Sequence, residues 1–142
     1  MTVMFRHATL ADAEPIASLL TELGYASAAA DVVDRVQRSP YSGTSWLLLA
    51  QSENDVVGLV SAELVPYFPN GSTVCRVTAL VVAARYRHQH LGEKLLARAA
   101  EFARERGCSG IELTSAHYRL DAHRFYERLG FSRTSLRFFR PL

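Results

Sequence analysis

"VTALVVAARYRHQHLGEKLL", residues 77–96, decides how this chain is read. Its first half is an apolar run rich in valine, which reads as the end of a buried strand. Its second half opens a helical pattern, in which Leu91, Leu95, Leu96, Ala99, Phe102 and Ala103 share one face and Gly107 marks the stop. Between the two lies a short basic turn carrying Arg85, Arg87, His88 and His90. A strand that feeds a helix through a tight turn presents unpaired N–H groups at the positive end of the helix, and these favour a phosphate. Gly92 would let the backbone approach such a ligand closely. An ordinary strand-to-helix connection would read the same way from these residues alone.

Working outward, "STVCRVTALVVA" is one long strand, and the "PNG" at 69–71 before it is a turn. "SWLLLAQS" at 45–52 and "VVGLVSAELVPYF" are two further strands joined by the tight turn "ENDV". At the N-terminus, "VMFRHA" at 3–8 reads as a strand. The helix after it has Thr9 as N-cap, Asp12 at the capping-box position, a stripe of Ile16, Leu19, Leu20 and Leu23, and Gly24 as its stop. "AAADVVDRVQRS" is a second, weaker helix that ends before Pro40. Beyond the quoted stretch come a strand "GIELTS", a helix "LDAHRFYERLG", and one or two final strands in "FSRTSLRFFRPL". This order predicts an α/β fold with a mixed, mostly antiparallel central sheet, helices packed on it, and a parallel strand–helix–strand unit over 74–115.

The chain has 142 residues, which suggests one domain over 1–142. No apolar run approaches the roughly 20 residues that span a bilayer, and nothing near the N-terminus resembles a secretory leader. Cys75 and Cys108 are too few for a disulfide framework and suit reduced thiols in the cytoplasm. A net charge of +2 does not by itself argue for nucleic acid. The distribution says more. Lys94 is the only lysine beside fifteen arginines, and from residue 115 onward six arginines face only Asp121 and Glu127. Arginine suits bidentate contact with phosphate or carboxylate, although a solvated basic face has the same composition.

"LDAHRFYERLGF" at 120–131 resembles the "AxxFYxxxGF" motif of the GCN5-related N-acetyltransferase (GNAT) family. Leu120 lies 28 positions after Gly92, and "RHQHLG" at 87–92 stands where that family has its pyrophosphate loop, Q/R-x-x-G-x-G/A. The opening "FRHATLADAEPIASL" is similar to the family's first strand and helix, so the resemblance covers essentially the whole chain. It implies acetyl-CoA as cosubstrate, no metal, and helices on both faces of the sheet. The matching positions for main-chain contacts to the pantetheine arm are Leu80 and Val82. Arg87, His88, Gln89, His90, Leu91 and Gly92 would wrap the pyrophosphate, and Tyr126 matches the tyrosine that faces the leaving sulfur, with Phe125 beside it for packing.

The sequence departs from the family pattern in three places. His90 replaces the usual first loop glycine, where a Cβ would crowd the phosphates if the position needs a positive φ, or an imidazole would donate to them. Arg119 replaces a frequent asparagine. Thr78 stands where many relatives carry a glutamate base, which leaves the base open among Glu63, His117 and Glu112. A carboxylate in the apolar strand around Glu63 is costly unless used or paired, and an imidazole such as His117 changes charge near neutral pH. Glu112 alternates away from the site, and His123 reads as a helix-surface residue.

The implied reaction is acetyl transfer to a primary amine. An alkylamine with a pKa of about 10.4 costs roughly 4–5 kcal/mol to deprotonate at pH 7, so a proton route is needed. The expected acceptor is a small-molecule amine that also carries an anionic group, with Tyr25, Tyr41, Tyr67, Phe68 and Tyr118 as an apolar or aromatic wall. A protein N-terminus or lysine is the alternative acceptor, and a non-catalytic acyl-CoA-binding module the alternative role. Neither nucleic acid nor membrane is an expected partner. Leu136, Phe138 and Phe139 suit either a homodimer edge or burial within the monomer.

Overall fold

The computed structural model describes residues 2–38 and 43–142. The expected end of the second helix at Pro40, and Tyr41, lie outside the described residues. The first strand, β1 (Val3–His7), leads through a tight helical turn at Leu10–Asp12 into α1 (Ala13–Leu23), and α2 (Ala29–Arg38) follows. Three strands come next: β2 (Ser45–Ser52), β3 (Asp55–Tyr67) and β4 (Ser72–Val82). Then come α3 (Leu91–Glu105), β5 (Gly110–Glu112) and α4 (Leu120–Arg128). The sheet runs β1-β2-β3-β4-β5 in sequence order, antiparallel throughout except for the parallel β4–β5 pair.

Each end of α1 is fixed by a residue the sequence marks. The Asp12 carboxylate accepts hydrogen bonds from the Thr9 N–H at 2.8 Å and from both terminal nitrogens of Arg6 at 2.9 and 2.8 Å. Asp12 is buried, and the Arg6 guanidinium, aided by Thr9, holds its carboxyl below the usual carboxylate range against the opposing pull of burial. At the other end Gly24 adopts φ 111°, open only to a residue without a Cβ, and closes the helix onto Leu20 and Thr21 carbonyls.

Strand alternation divides the core into two layers. Leu49, Leu59 and Val81 face α1 and α2, meeting Ile16, Leu19, Val32 and Val36. Leu48, Ala50, Val57, Val60 and Val77 face the other way and meet Leu91, Leu95, Leu96 and Ala99 of α3. Phe125 and Tyr126 of α4 pack on that second layer. A Cβ at Gly58 would lie 3.2 Å from Leu95 Cδ1 and 3.2 Å from the Val81 carbonyl, so α3 sits close to β3. Cys75 and Cys108 are free, and burial pushes the Cys75 thiol up to about 11, away from reactivity.

Two expectations for the C-terminal third need correction. The strand expected over "GIELTS" is only Gly110–Glu112. No strand forms in residues 131–142, although final strands were expected there. A strand needs a ladder partner, and the edge on this side is three residues long, too short to hold another. Leu136, Phe138 and Phe139 are accordingly exposed rather than buried within the monomer.

Candidate active site

The site begins with a defect in β4. Ser61 pairs with Ala79, and the next residue, Ala62, pairs with Val77, so Thr78 is an extra residue without an opposite number. Such a bulge bends and twists its strand. Pairing with β5 extends only from Val74 to Arg76, and beyond the bulge β4 is paired on its β3 side alone. The Ala83 N–H donates to the Val57 carbonyl at 2.8 Å. Alternation in the antiparallel ladder then gives Val81 and Ala79 to β3 and turns the main-chain groups of Leu80 and Val82 to the outer edge. β5 has already ended there. The side chains of Leu80 and Val82 pack in the α3 layer, so only their backbone is free for a ligand. The Arg87 Nε donates to the Val82 carbonyl at 3.2 Å.

The turn at 87–92 leads from that edge into α3. His88 and His90 hold φ 63° and 62°. His90 is the residue before the helix and gives it no side-chain cap. The Lys94 N–H reaches back to the His90 carbonyl at 3.1 Å, so the N–H groups of Leu91, Gly92 and Glu93 have no acceptor within the helix. A left-handed residue adjoining a helix start makes a concave set of amides suited to an anion. The residues therefore fit a pyrophosphate. The His90 imidazole is largely exposed, with its Nδ1 3.5 Å from Glu93 Oε2. Gly92 lies under Phe125: a Cβ there would sit 3.4 Å from its ring, so α4 docks closely on the first turn of α3.

Docking of α4 sets Tyr126. Its ring meets Phe125 and Phe131 edge-on, at 5.3 and 5.8 Å between centroids. Its hydroxyl has no hydrogen-bond partner among the described residues. Burial raises the phenol above its ordinary value of 10, with the Arg119 charge pulling weakly the other way. It therefore stays a proton donor at neutral pH.

Across the sheet, α1, α2, β2, β3 and β4 line an open cavity of about 270 Å³. Ile16, Leu20, Val32, Val36, Leu47 and Leu59 make its apolar wall. Thr78, Ser61, Ser45, Glu63 and Arg35 supply its polar groups. The Ser61 and Thr78 hydroxyls bond each other at 2.7 Å, and the Ser45 hydroxyl donates to Glu63 Oε2 at 2.6 Å. Glu63 thus lines the same cavity as Thr78, one strand away. His117 does not join it. It lies in an exposed turn, edge-on to Tyr118 at 5.6 Å. Nor do Tyr25, Tyr67, Phe68 and Tyr118, which are exposed, so among the described residues the wall is aliphatic, with Trp46 its one ring. Glu112 pairs with Arg76 at 3.4 Å, and His123 Nε2 lies 2.9 Å from the Ala116 carbonyl. Sequence reasoning missed Arg35, Ser45 and Ser61. Only the 3.6-residue phase of Val32 and Val36 would have pointed to Arg35 beside them.

Among the described residues no helix is long and apolar enough to cross a membrane, and no group of three or more His, Cys, Asp or Glu is placed to hold a metal ion.

The family profile of acetyltransferases of the GNAT type matches residues 14–131. An aminoalkylphosphonate N-acetyltransferase from Salmonella typhimurium is 36% identical over 94 residues, which is 66% of this chain and 61% of that one. N-acetyltransferase 8F1 of Rattus norvegicus is 31% identical over 96 residues, 68% of this chain and 42% of its own length. The chain thus matches less than two thirds of either relative. Among solved structures, a Bacillus halodurans protein described as a transcriptional regulator superposes with a TM-score of 0.90 at 27% identity, over 99% of this chain and 100% of that one.

Proposed function

The chain belongs to the acetyltransferase (GNAT) family, and from that premise we propose that it moves the acetyl group of acetyl-CoA onto the primary amine of a small molecule. The observation that carries this reading is the free outer edge of β4 at Leu80 and Val82, which leads directly to the unpaired amides at the start of α3. The cosubstrate supplies a thioester carbonyl for the amine to attack and a thiolate to depart. Leu80 and Val82 would hold the pantetheine arm by their backbone. Arg87, His88, Gln89, His90, Leu91 and Gly92 would hold the pyrophosphate, chiefly by N–H groups. Tyr126 would donate a hydrogen bond to the departing sulfur. Full proton transfer to a thiolate of pKa about 8.5 is uphill by at least roughly 2 kcal/mol, so the hydrogen bond is the larger part of its role.

Glu63 is the base this reading prefers. It lines the cavity, keeps Oε2 on Ser45, and leaves Oε1 without a hydrogen-bond partner among the described residues. His117, exposed in its turn, would serve only as a relay to solvent. A cavity of about 270 Å³ suits a small amine better than a polypeptide end, which favours a metabolite-sized acceptor over a protein N-terminus or lysine. The Salmonella relative's name supports an acceptor that also carries an anionic group. The two unpaired thiols support a cytoplasmic location. The exposed Leu136, Phe138 and Phe139 support a homodimer through the C-terminal segment, and a monomer mass by light scattering at micromolar concentration would refute it.

The central test is a thiol-release assay with acetyl-CoA and a panel of primary amines, alongside calorimetric titration with coenzyme A. Amine-dependent thiol release supports the reading. Binding without release leaves an acyl-CoA-binding module instead, and no detectable binding at millimolar coenzyme A overturns the whole account.

A further inference from the structure

We infer that Arg35 sets the acceptor specificity of this chain by holding the anionic end of a short zwitterionic amine whose ammonium end meets Glu63. This rests on the reading of the cavity as the acceptor site. Among the described residues the lining holds one cationic side chain, Arg35, and one anionic side chain, Glu63. They come from different elements, α2 and β3, across an apolar wall. No carboxylate among the described residues pairs with Arg35. Its one hydrogen bond runs from a terminal nitrogen to the Ser27 hydroxyl at 3.4 Å, the weak limit of such contacts. Asp31 lies one helical turn back and forms no ion pair with it, although that spacing allows one.

The position of Arg35 on α2 follows from packing. Val32 and Val36 are 1% and 7% exposed and pin that face of the helix to the core. Arg35 is next to Val36 and three residues after Val32, so its stem leaves the helix at the border of the buried face and lines the rim of the cavity, with its exposed head a rotation of the side chain away from a ligand there. Glu63 is oriented by Ser45. Opposite charges held apart by apolar walls are complementary to a molecule with the same charges at its two ends. An uncharged alkylamine leaves Arg35 unanswered, and a diamine brings a second cation towards it. Size narrows the class. A cavity of about 270 Å³ lies just below the usual range of small-molecule sites, which suits an ammonium, a short chain, and one carboxylate or phosphonate. The planar guanidinium suits both, and bidentate contact favours it over a lysine.

The experiment compares three amines of equal chain length: an aminoalkylphosphonate, an amino carboxylate and an uncharged alkylamine. In the unaltered protein kcat/KM should favour the two anionic amines. In Arg35→Met the ratio of anionic to uncharged kcat/KM should fall about 10- to 100-fold, mainly through KM, as for loss of a charge-assisted hydrogen bond. Arg35→Lys should recover part of the ratio, which a merely structural arginine would not show. An unchanged ratio in Arg35→Met, or no preference in the unaltered protein, overturns the inference. Calorimetric titration with the aminoalkylphosphonate, without acetyl-CoA, separates it from the catalytic reading. Arg35-dependent binding without any transfer refutes the catalysis and sustains this inference. Transfer to the alkylamine alone, with no binding of the phosphonate, does the reverse.

Discussion

Along the outer edge of β4 and into α3, the candidate site consists of backbone: the main-chain groups of Leu80 and Val82 and the amides of Leu91, Gly92 and Glu93. On the α1–α2 side it consists of side chains: Arg35, Ser45, Ser61, Glu63 and Thr78. The two sides meet at the β4 bulge, which frees the edge for one and presents Thr78 to the other. The difference has a chemical reason. A diphosphate and an amide-bearing arm are the same in every turnover, and backbone donors serve them whatever the local side chains are. An acceptor must be told from other amines, and only side chains carry that information. Replacement of side chains should therefore do little on the backbone side and much on the other.

The largest effect should come from Glu63→Gln. The amide keeps the shape and a hydrogen bond to Ser45 but takes no proton. Turnover should fall about 100- to 10,000-fold, as for loss of a general base, and recover in part as pH rises and more amine is already free. Stopped-flow thiol release from pH 7 to 10 would read this. Unaltered turnover would move the base elsewhere, His117 being the first alternative.

Tyr126→Phe comes next. Loss of a donor to the developing thiolate should lower turnover about 10- to 1000-fold and leave coenzyme A affinity nearly unchanged. The phenol is raised above its ordinary value, so the protonated donor persists at pH values where a free tyrosine would begin to ionise. The ratio of unaltered to Tyr126→Phe rates should then be flat from pH 6 to about 9 and decline only above about 10. A ratio that falls between pH 6 and 8 would mean that the phenol ionises early, and would sink its role as a neutral donor.

The same division explains what was legible in the sequence. The β4–turn–α3 unit, the N-cap pair Thr9 and Asp12, the stop at Gly24 and the packing of Phe125 all follow from local patterns: alternation, helical spacing, and a glycine or acid at a fixed offset. Tyr126 and the 87–92 turn are contiguous with those patterns, so their places in α4 and before α3 were legible too. The cavity on the α1–α2 side was illegible because its polar groups lie on four elements, joined by register and a bulge that no short window contains. Glu63 was visible as an odd carboxylate in an apolar strand, but its hydrogen bond to Ser45 depends on β2–β3 pairing. The aromatic wall failed because tyrosine and phenylalanine near turns look alike whether they line a pocket or face water. The final strands failed for another reason: apolar alternation predicts a strand only where an edge exists to receive it, and β5 is three residues long.

His90→Gly gives the smallest expected effect and the sharpest test of the backbone half. A side-chain residue at φ 62° is strained by about 1–2 kcal/mol, and glycine removes that strain while adding about 0.5–1 kcal/mol of chain freedom to the unfolded state. Stability should therefore rise by about 0–1.5 kcal/mol in urea unfolding. The imidazole lies beside Glu93, with 79% of its surface exposed, so glycine should alter coenzyme A affinity by less than about threefold. A gain beyond about tenfold would mean that the Cβ crowds the phosphates. A loss of that size would mean that the ring donates to them. Either result would make the α3 entrance a side-chain site after all, and the contrast between the two sides of β4 would fail at the residue where it is most exposed to failure.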